Sequence, residues 1–230
     1  MRRKSFDALV STGGVLLAIV LVAAGALLFW GYSFTNNTVT NELSAQKIYF
    51  PTQAALAQAK PAPPGGFSEV TPDMVPYLEP YAGQLMTTGA QAEAYANHFI
   101  AGHLEQIGGG KTYSQVSGAA MALPKGSAAY TAAEAQAQTM FQGTTLRSML
   151  LNAWGWWQLG QIALIGAIVS FALAGITVLL TVLGVLHYRR VPVDEEIPRV
   201  PATTTKFVTA DGNEVNEGVV TANGEAKVHA

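Results

Sequence analysis

Cysteine is absent from this 230-residue sequence, and charged residues make up only 12% of it. That share is about half of the roughly 25% usual in soluble domains. Without cysteine there is no disulfide scaffold, no cysteine nucleophile, no iron–sulfur cluster and no thiolate zinc site. A formal net charge of −2 offers no basic footprint for nucleic acid, so no nucleic-acid partner is expected. Histidine is scarce too, at 4 residues. Half the residues are hydrophobic, and the scarce charges are unevenly placed.

No acidic or basic residue lies between Asp7 and Glu42, and none between Arg147 and Arg189. The first gap holds GVLLAIVLVAAGALLFWGY and the second IALIGAIVSFALAGITVLLTVLGVL. A bilayer core of about 30 Å needs about 20 apolar helical residues, and both stretches exceed that. Neither has a polar face at helical spacing. Two transmembrane helices follow, at residues 8–32 and 157–187. The rival for the first is a cleaved signal peptide, given Arg2, Arg3, Lys4 and Ala24-Gly25-Ala26. Its apolar run, however, is longer than the roughly 7–15 residues of a signal core.

Basic residues precede the first span (Arg2, Arg3, Lys4) and follow the second (Arg189, Arg190). By the positive-inside rule both termini belong in the cytoplasm and the central segment outside. Trp30 and Tyr32 end the first span where Trp154, Trp156 and Trp157 begin the second, as interfacial aromatics do. The expected organisation is a cytoplasmic basic arm (1–7), a first span (8–32), an extracytoplasmic helical domain (33–156), a second span (157–187) and a cytoplasmic tail (188–230). The fold class is mainly α, located in the cell membrane as a multi-pass protein.

The outer segment carries helix signals. Thr88 to Gln91 has capping-box spacing and precedes Ala92, Tyr95, Ala96, Phe99, Ile100, Leu104 and Ile107; Gly108 to Gly110 stop that helix. Thr112 to Gln115 repeats the spacing and opens a helix toward Met121. A further helix is expected from Thr131 to about Gly143. Thr144 or Thr145 then caps a last one that runs into the second span, with Gly155 as a bend. Before Thr88, Thr38–Gln46 continues the first span, Lys47–Pro51 is extended, and Lys60–Gly66 is an exposed loop. Pro72, Pro76 and Pro80 keep the next stretch irregular. Alanine is plentiful and large aliphatics few, so a thin core is expected. The tail is read as disordered or weakly β, with strand-like patches around Lys206 and Asn216 and turns at Asp211-Gly212 and Asn223-Gly224.

His98 and His103 are the only histidines of the outer segment and the only metal candidates, with Glu93 or Glu105 as a third ligand. Their spacing separates them by about 140° on a regular helix and lacks the HExxH pattern. A packing role for His103 beside Ala96, Phe99 and Ile107 is the plainer reading. Gly108-Gly-Gly-Lys-Thr112 lacks the first glycine of a phosphate loop, because Glu105 stands there. Neither span holds an Asp, Glu, Lys or Arg, which argues against an ion path through one chain. Gly14 with Ala18, and Gly166, Ser170 and Ala174, form small-residue rows that let helices approach.

Several segments carry a family resemblance: Ala45–Pro51, Tyr81–Gln84, Thr87–His103, Gly109–Tyr113 and Thr145–Trp154. Over about residues 1–190 the chain resembles an uncharacterised family of two-span membrane proteins from high-GC Gram-positive bacteria (actinobacteria). Some members are automatically labelled aromatic ring-opening dioxygenases. That label implies non-heme iron held by two histidines and a carboxylate; the family assigns no functional residue that carries over. The first expectation is a non-enzymatic accessory or scaffold component of a membrane or envelope complex, without cofactor. Its expected partners are the lipid bilayer and other membrane or envelope proteins, or copies of itself. The alternatives are a metal-dependent dioxygenase-like enzyme using His98 and His103, and a small-ligand or lipid-binding module using Tyr77, Tyr81, Tyr95 and Phe99.

Overall fold

A computed structural model describes residues 3–190 and the strand residues 204–208, 214–220 and 226–227. The described chain is mainly helical and contains two helices long and apolar enough to cross a membrane. The first, α1, runs Arg3–Ala45 and the last, α7, runs Ala128–Arg190. At 1.5 Å per residue the 63 residues of α7 extend about 95 Å. Between them lie α2 (Gln53–Ala57), α3 (Val75–Leu78), a 3₁₀ turn at Glu79–Tyr81, α4 (Gly89–Ala94), a π-helical segment (Tyr95–Ile100), α5 (Ala101–Gly108) and α6 (Tyr113–Met121).

Both capping boxes form. In each, a threonine hydroxyl (Thr88, Thr112) accepts from the amide of a glutamine three residues on, whose side chain accepts from the threonine amide. Gly109 ends α5 in a left-handed conformation (φ 60°), and the Gly110 amide closes the turn onto Glu105 O at 2.9 Å. The stretch from Ser127 to Arg190 departs from the sequence expectation. Ser127 caps it through the Tyr130 amide, one turn before Thr131, and one α-helix then passes through Gly143, Thr144 and Gly155 without a break. At Gly143 the missing side chain serves packing: a Cβ there would stand 2.7 Å from Leu104 Cδ2.

Contacts divide the chain into two units, Leu17–Ile176 and a second composed of Met1–Leu16 with Thr177–Ala230. In the first, α1 and α7 pair antiparallel: Gly25 faces Phe171, Leu28 faces Gly166, and Gly160 seats against Thr35. Ala18, Gly25, Gly160, Ala167 and Ala174 are buried, while Leu17, Ile19, Val20, Ile165, Ile168 and Ile176 are exposed. Small residues therefore make the seam. The hydroxyl of Thr35 donates to carbonyls of its own helix, which satisfies it within an apolar stretch.

The same unit contains a hydrophobic core of Val39, Leu43, Phe50, Leu56, Val70, Met74, Leu78, Met86, Ala92, Ala96, Ile100 and Leu150. Val39 and Leu43 come from α1 and Leu150 from α7, so both long helices continue from the apolar stretches into this core. Tyr49 bridges to Leu85, so the extended reading of 47–51 holds around Tyr49, whereas Lys47 turns the chain out of α1 with φ 53°. The loop from Lys60 is closed by the Ser68 hydroxyl, which donates to Lys60 O at 2.8 Å.

In the second unit, Gly14 lies against Thr181 and Gly184 against Ser11. Three strands, β1 (Thr204–Val208), β2 (Glu214–Val220) and β3 (Ala226–Lys227), pair antiparallel in the order β1-β2-β3. They overlap both strand-like patches of the tail. The two expected turns lie outside the described residues.

Candidate functional site

The chemistry-bearing residues of the central segment gather around the π-helical segment. There the Ala101 amide reaches back five residues to Ala96 O. A π turn inserts an extra residue and changes the phase of the side chains that follow. The 140° expected between His98 and His103 assumed a regular α-helix; this turn replaces that geometry. The widened turn also leaves Ala96 O open to a second donor. Arg147 of α7 supplies it, with Nε donating to Ala96 O at 3.3 Å and a terminal nitrogen donating to Asn97 Oδ1 at 2.8 Å. Asn97 in turn donates to Glu93 Oε1 at 2.7 Å. One amide thus links a guanidinium and a carboxylate while the guanidinium completes the π turn.

The histidines go to different partners. His98 stacks flat on Tyr77, with ring centroids 3.4 Å apart and planes 2° from parallel. His103 lies between Phe99 (4.2 Å) and Phe67 (4.9 Å), and its Nε2 is 2.7 Å from Glu69 O. A carbonyl only accepts, so Nε2 carries the proton and donates. Among the described residues no group of three or more His, Asp or Glu side chains is placed to hold a metal ion. Iron held by two histidines and a carboxylate finds no such set assembled among the described residues, His98 lying against Tyr77 and His103 between Phe99 and Phe67.

His103 belongs to a continuous row of rings that ends on Phe67. Tyr81 packs on Phe50 (5.2 Å), Phe50 on Tyr95 (5.3 Å), Tyr95 on Phe99 (4.6 Å), and Phe99 on His103. The row joins the helix to the segments 50–51 and 79–81 and borders the core. Burial first, and the negative charge of Glu69 second, push the Tyr95 phenol up to about 12. Of the four aromatics expected to line a ligand pocket, Tyr81, Tyr95 and Phe99 pack against the core and Tyr77 pairs with His98.

The open apolar space is elsewhere. Where α1 and α7 emerge beyond the Thr35–Gly160 contact, they leave a groove of about 340 Å³. Its walls are Phe34, Val39, Met149, Ala153 and Trp156, and its polar atoms come from Thr35, Thr38, Glu42 and Asn152. Two further hollows flank α5. One, of about 400 Å³, includes Lys111, Tyr113, Thr144 and Arg147; the other, of about 450 Å³, includes Asp73, Glu105 and Gln106 beside four loop glycines. Gln106 Oε1 accepts from the Ser68 amide at 2.7 Å. The groove escaped sequence reasoning because its residues come from two helices more than 100 positions apart, although Phe34, Met149 and Trp156 were visible as large apolar residues beyond the spans.

No family model matches the chain, and neither a curated protein nor a solved structure is detectably similar to it.

Proposed function

We propose that this protein is a membrane-anchored, non-enzymatic accessory or scaffold component of a membrane or envelope complex, of the two-span type that the sequence resembles. Its apolar helices cross the cell membrane, both termini lie in the cytoplasm, and the helical segment between them stands outside. The spanning reading is supported by exposure: in each long helix only 11% of the most apolar 18-residue window is buried inside the protein. A core helix of a soluble protein would be mostly buried, whereas lipid covers such a surface at no cost. The orientation rests on Arg2, Arg3 and Lys4 at one end and Arg189 and Arg190 at the other.

One observation carries the scaffold reading. Val39, Leu43 and Leu150, on the continuations of the two spans, are members of the outer core. The head is thereby joined to its anchor by two unbroken helices rather than by flexible linkers, which suits a part that holds another component at a set height above the bilayer. The histidines pack on rings and Arg147 donates to Ala96 O and Asn97, which suits a structural head better than a reactive cleft. Purification of the full chain in mild detergent, followed by cross-linking and mass spectrometry, tests this. The expected result is a stoichiometric partner cross-linked to the 33–156 segment; a lone monomer with no cross-linked partner contradicts it.

A further inference from the structure

We infer that the groove between α1 and α7 binds one acyl chain of a bilayer lipid whose headgroup carries an amine. The inference rests on the membrane-spanning reading and adds a site and a ligand class to it. At about 340 Å³ the groove falls within the roughly 300–1,000 Å³ of small-ligand sites. Three observations select the occupant.

The first is continuity. Phe34 lies one helical turn beyond Trp30, and Trp156 directly precedes Trp157, the rings that end the two apolar stretches. Lipid chains packed against the spans therefore already reach the groove's near end. The second is the order of polarity. Moving away from the spans, α1 contributes Phe34 and Thr35, then Thr38 and Val39, then Glu42, while α7 contributes Trp156, Ala153, Asn152 and then Met149. Glu42 stands about 15 Å beyond Tyr32 at 1.5 Å per residue. On α1 the charged residue is the one farthest from the apolar stretch, so a chain that enters the groove from the bilayer ends beside it. The third is charge: Glu42 is the one ionisable residue of the lining, and it is exposed. A carboxylate at the rim selects an ammonium over a bare phosphate or a second carboxylate. Phe34 and Met149, at 58% and 64% exposed, are large apolar side chains beyond the spans that such a chain would cover.

The test reconstitutes the full chain in bilayer nanodiscs of phosphatidylethanolamine and phosphatidylglycerol, with a trace of phosphatidylethanolamine bearing a diazirine on its acyl chain. Illumination and peptide mapping should place adducts both on the spans, around Ile165 and Ile168, and in the groove, on 34–42 and 149–156. Thr38→Trp, at an exposed position lining the groove, should lower groove adducts about tenfold, the effect of losing a buried apolar contact, and leave span adducts unchanged. Met149→Trp repeats the experiment in case the first variant unfolds, with circular dichroism reporting the fold. Repeated with a phosphatidylglycerol that bears the same diazirine, the experiment should show Glu42→Gln reducing the preference for the ethanolamine over the glycerol probe about threefold, in line with an exposed charge pair. Span adducts without groove adducts, groove adducts that both tryptophan variants leave intact, or a groove cross-linked to protein instead of lipid would overturn the inference and leave the anchor reading standing. No adducts on either region would instead overturn the anchor reading itself.

Discussion

Large apolar side chains are buried in one part of the Leu17–Ile176 unit and exposed in the other. Along the apolar stretches the inside belongs to Ala18, Gly25, Gly160, Ala167 and Ala174, and the outside to leucine, isoleucine and valine. In the head large side chains enter the inside, with Phe50, Leu56, Met74, Leu78, Met86 and Leu150 buried beside small ones such as Ala92 and Ala96. The same helix α7 obeys both patterns, with Leu150 buried near one end and Ala167 and Ala174 buried farther on. Water drives large apolar side chains inward, whereas lipid does not, so in a bilayer close packing of small residues is what remains to hold helices together. On the membrane-spanning reading proposed above, the change of pattern along α7 marks a change of solvent.

Matched truncations give the widest contrast. Leu78→Ala, at a fully buried position of the head, should cost about 2–5 kcal/mol in reversible unfolding of the reconstituted protein. Ile168→Ala, at a position 60% exposed on the span, should change stability by less than about 0.5 kcal/mol. Equal costs would erase the distinction between the two regions. Enlarging the seam reverses the sense: Ala167→Leu, at 1% exposure, should destabilise by about 1–3 kcal/mol through overpacking, although the side chain becomes more apolar. Arg147→Met, which keeps much of the apolar stem, should cost about 1–3 kcal/mol because Ala96 O and Asn97 lose a donor. It should also speed hydrogen exchange in 95–101 and leave 160–176 unaffected.

The smallest effect is on pH. The Tyr95 phenol ionises near 10 in the unfolded chain and near 12 in the folded one, so between those values the unfolded state holds fewer protons. Its contribution is complete below about pH 10 and is lost as pH rises through 12. Tyr95→Phe should flatten that part of the stability curve, and the ultraviolet titration of tyrosinate should lose its latest component.

What could be read in the sequence was whatever local chemistry decides. The capping boxes at Thr88 and Thr112, the stop at Gly109 and the two apolar stretches are each determined by residues within a few positions. The unbroken course of α7 was not legible, because Gly143, Thr144 and Gly155 resemble breakers; Gly143 instead makes room for Leu104 of α5. The π segment was equally hidden, since the donor that completes its open carbonyl is 51 positions away. For the histidines, sequence spacing gave an angle on a regular helix. Their actual surroundings come from Tyr77, Phe67 and Glu69, all on the segment before the helix. The groove belongs to the same class, since it is made where two distant helices diverge.

The central claim is that the two apolar helices cross a bilayer and hold the head on its outer side. Because the chain contains no cysteine, single cysteines can be introduced on a silent background. The most direct measurement is labelling of Ala128→Cys, Ile168→Cys and Ser5→Cys in intact cells by a membrane-impermeant maleimide. The account predicts that Ala128→Cys reacts at once, Ser5→Cys only after permeabilisation, and Ile168→Cys in neither condition. Equal labelling of Ala128→Cys and Ser5→Cys in intact cells, or ready labelling of Ile168→Cys, would contradict it.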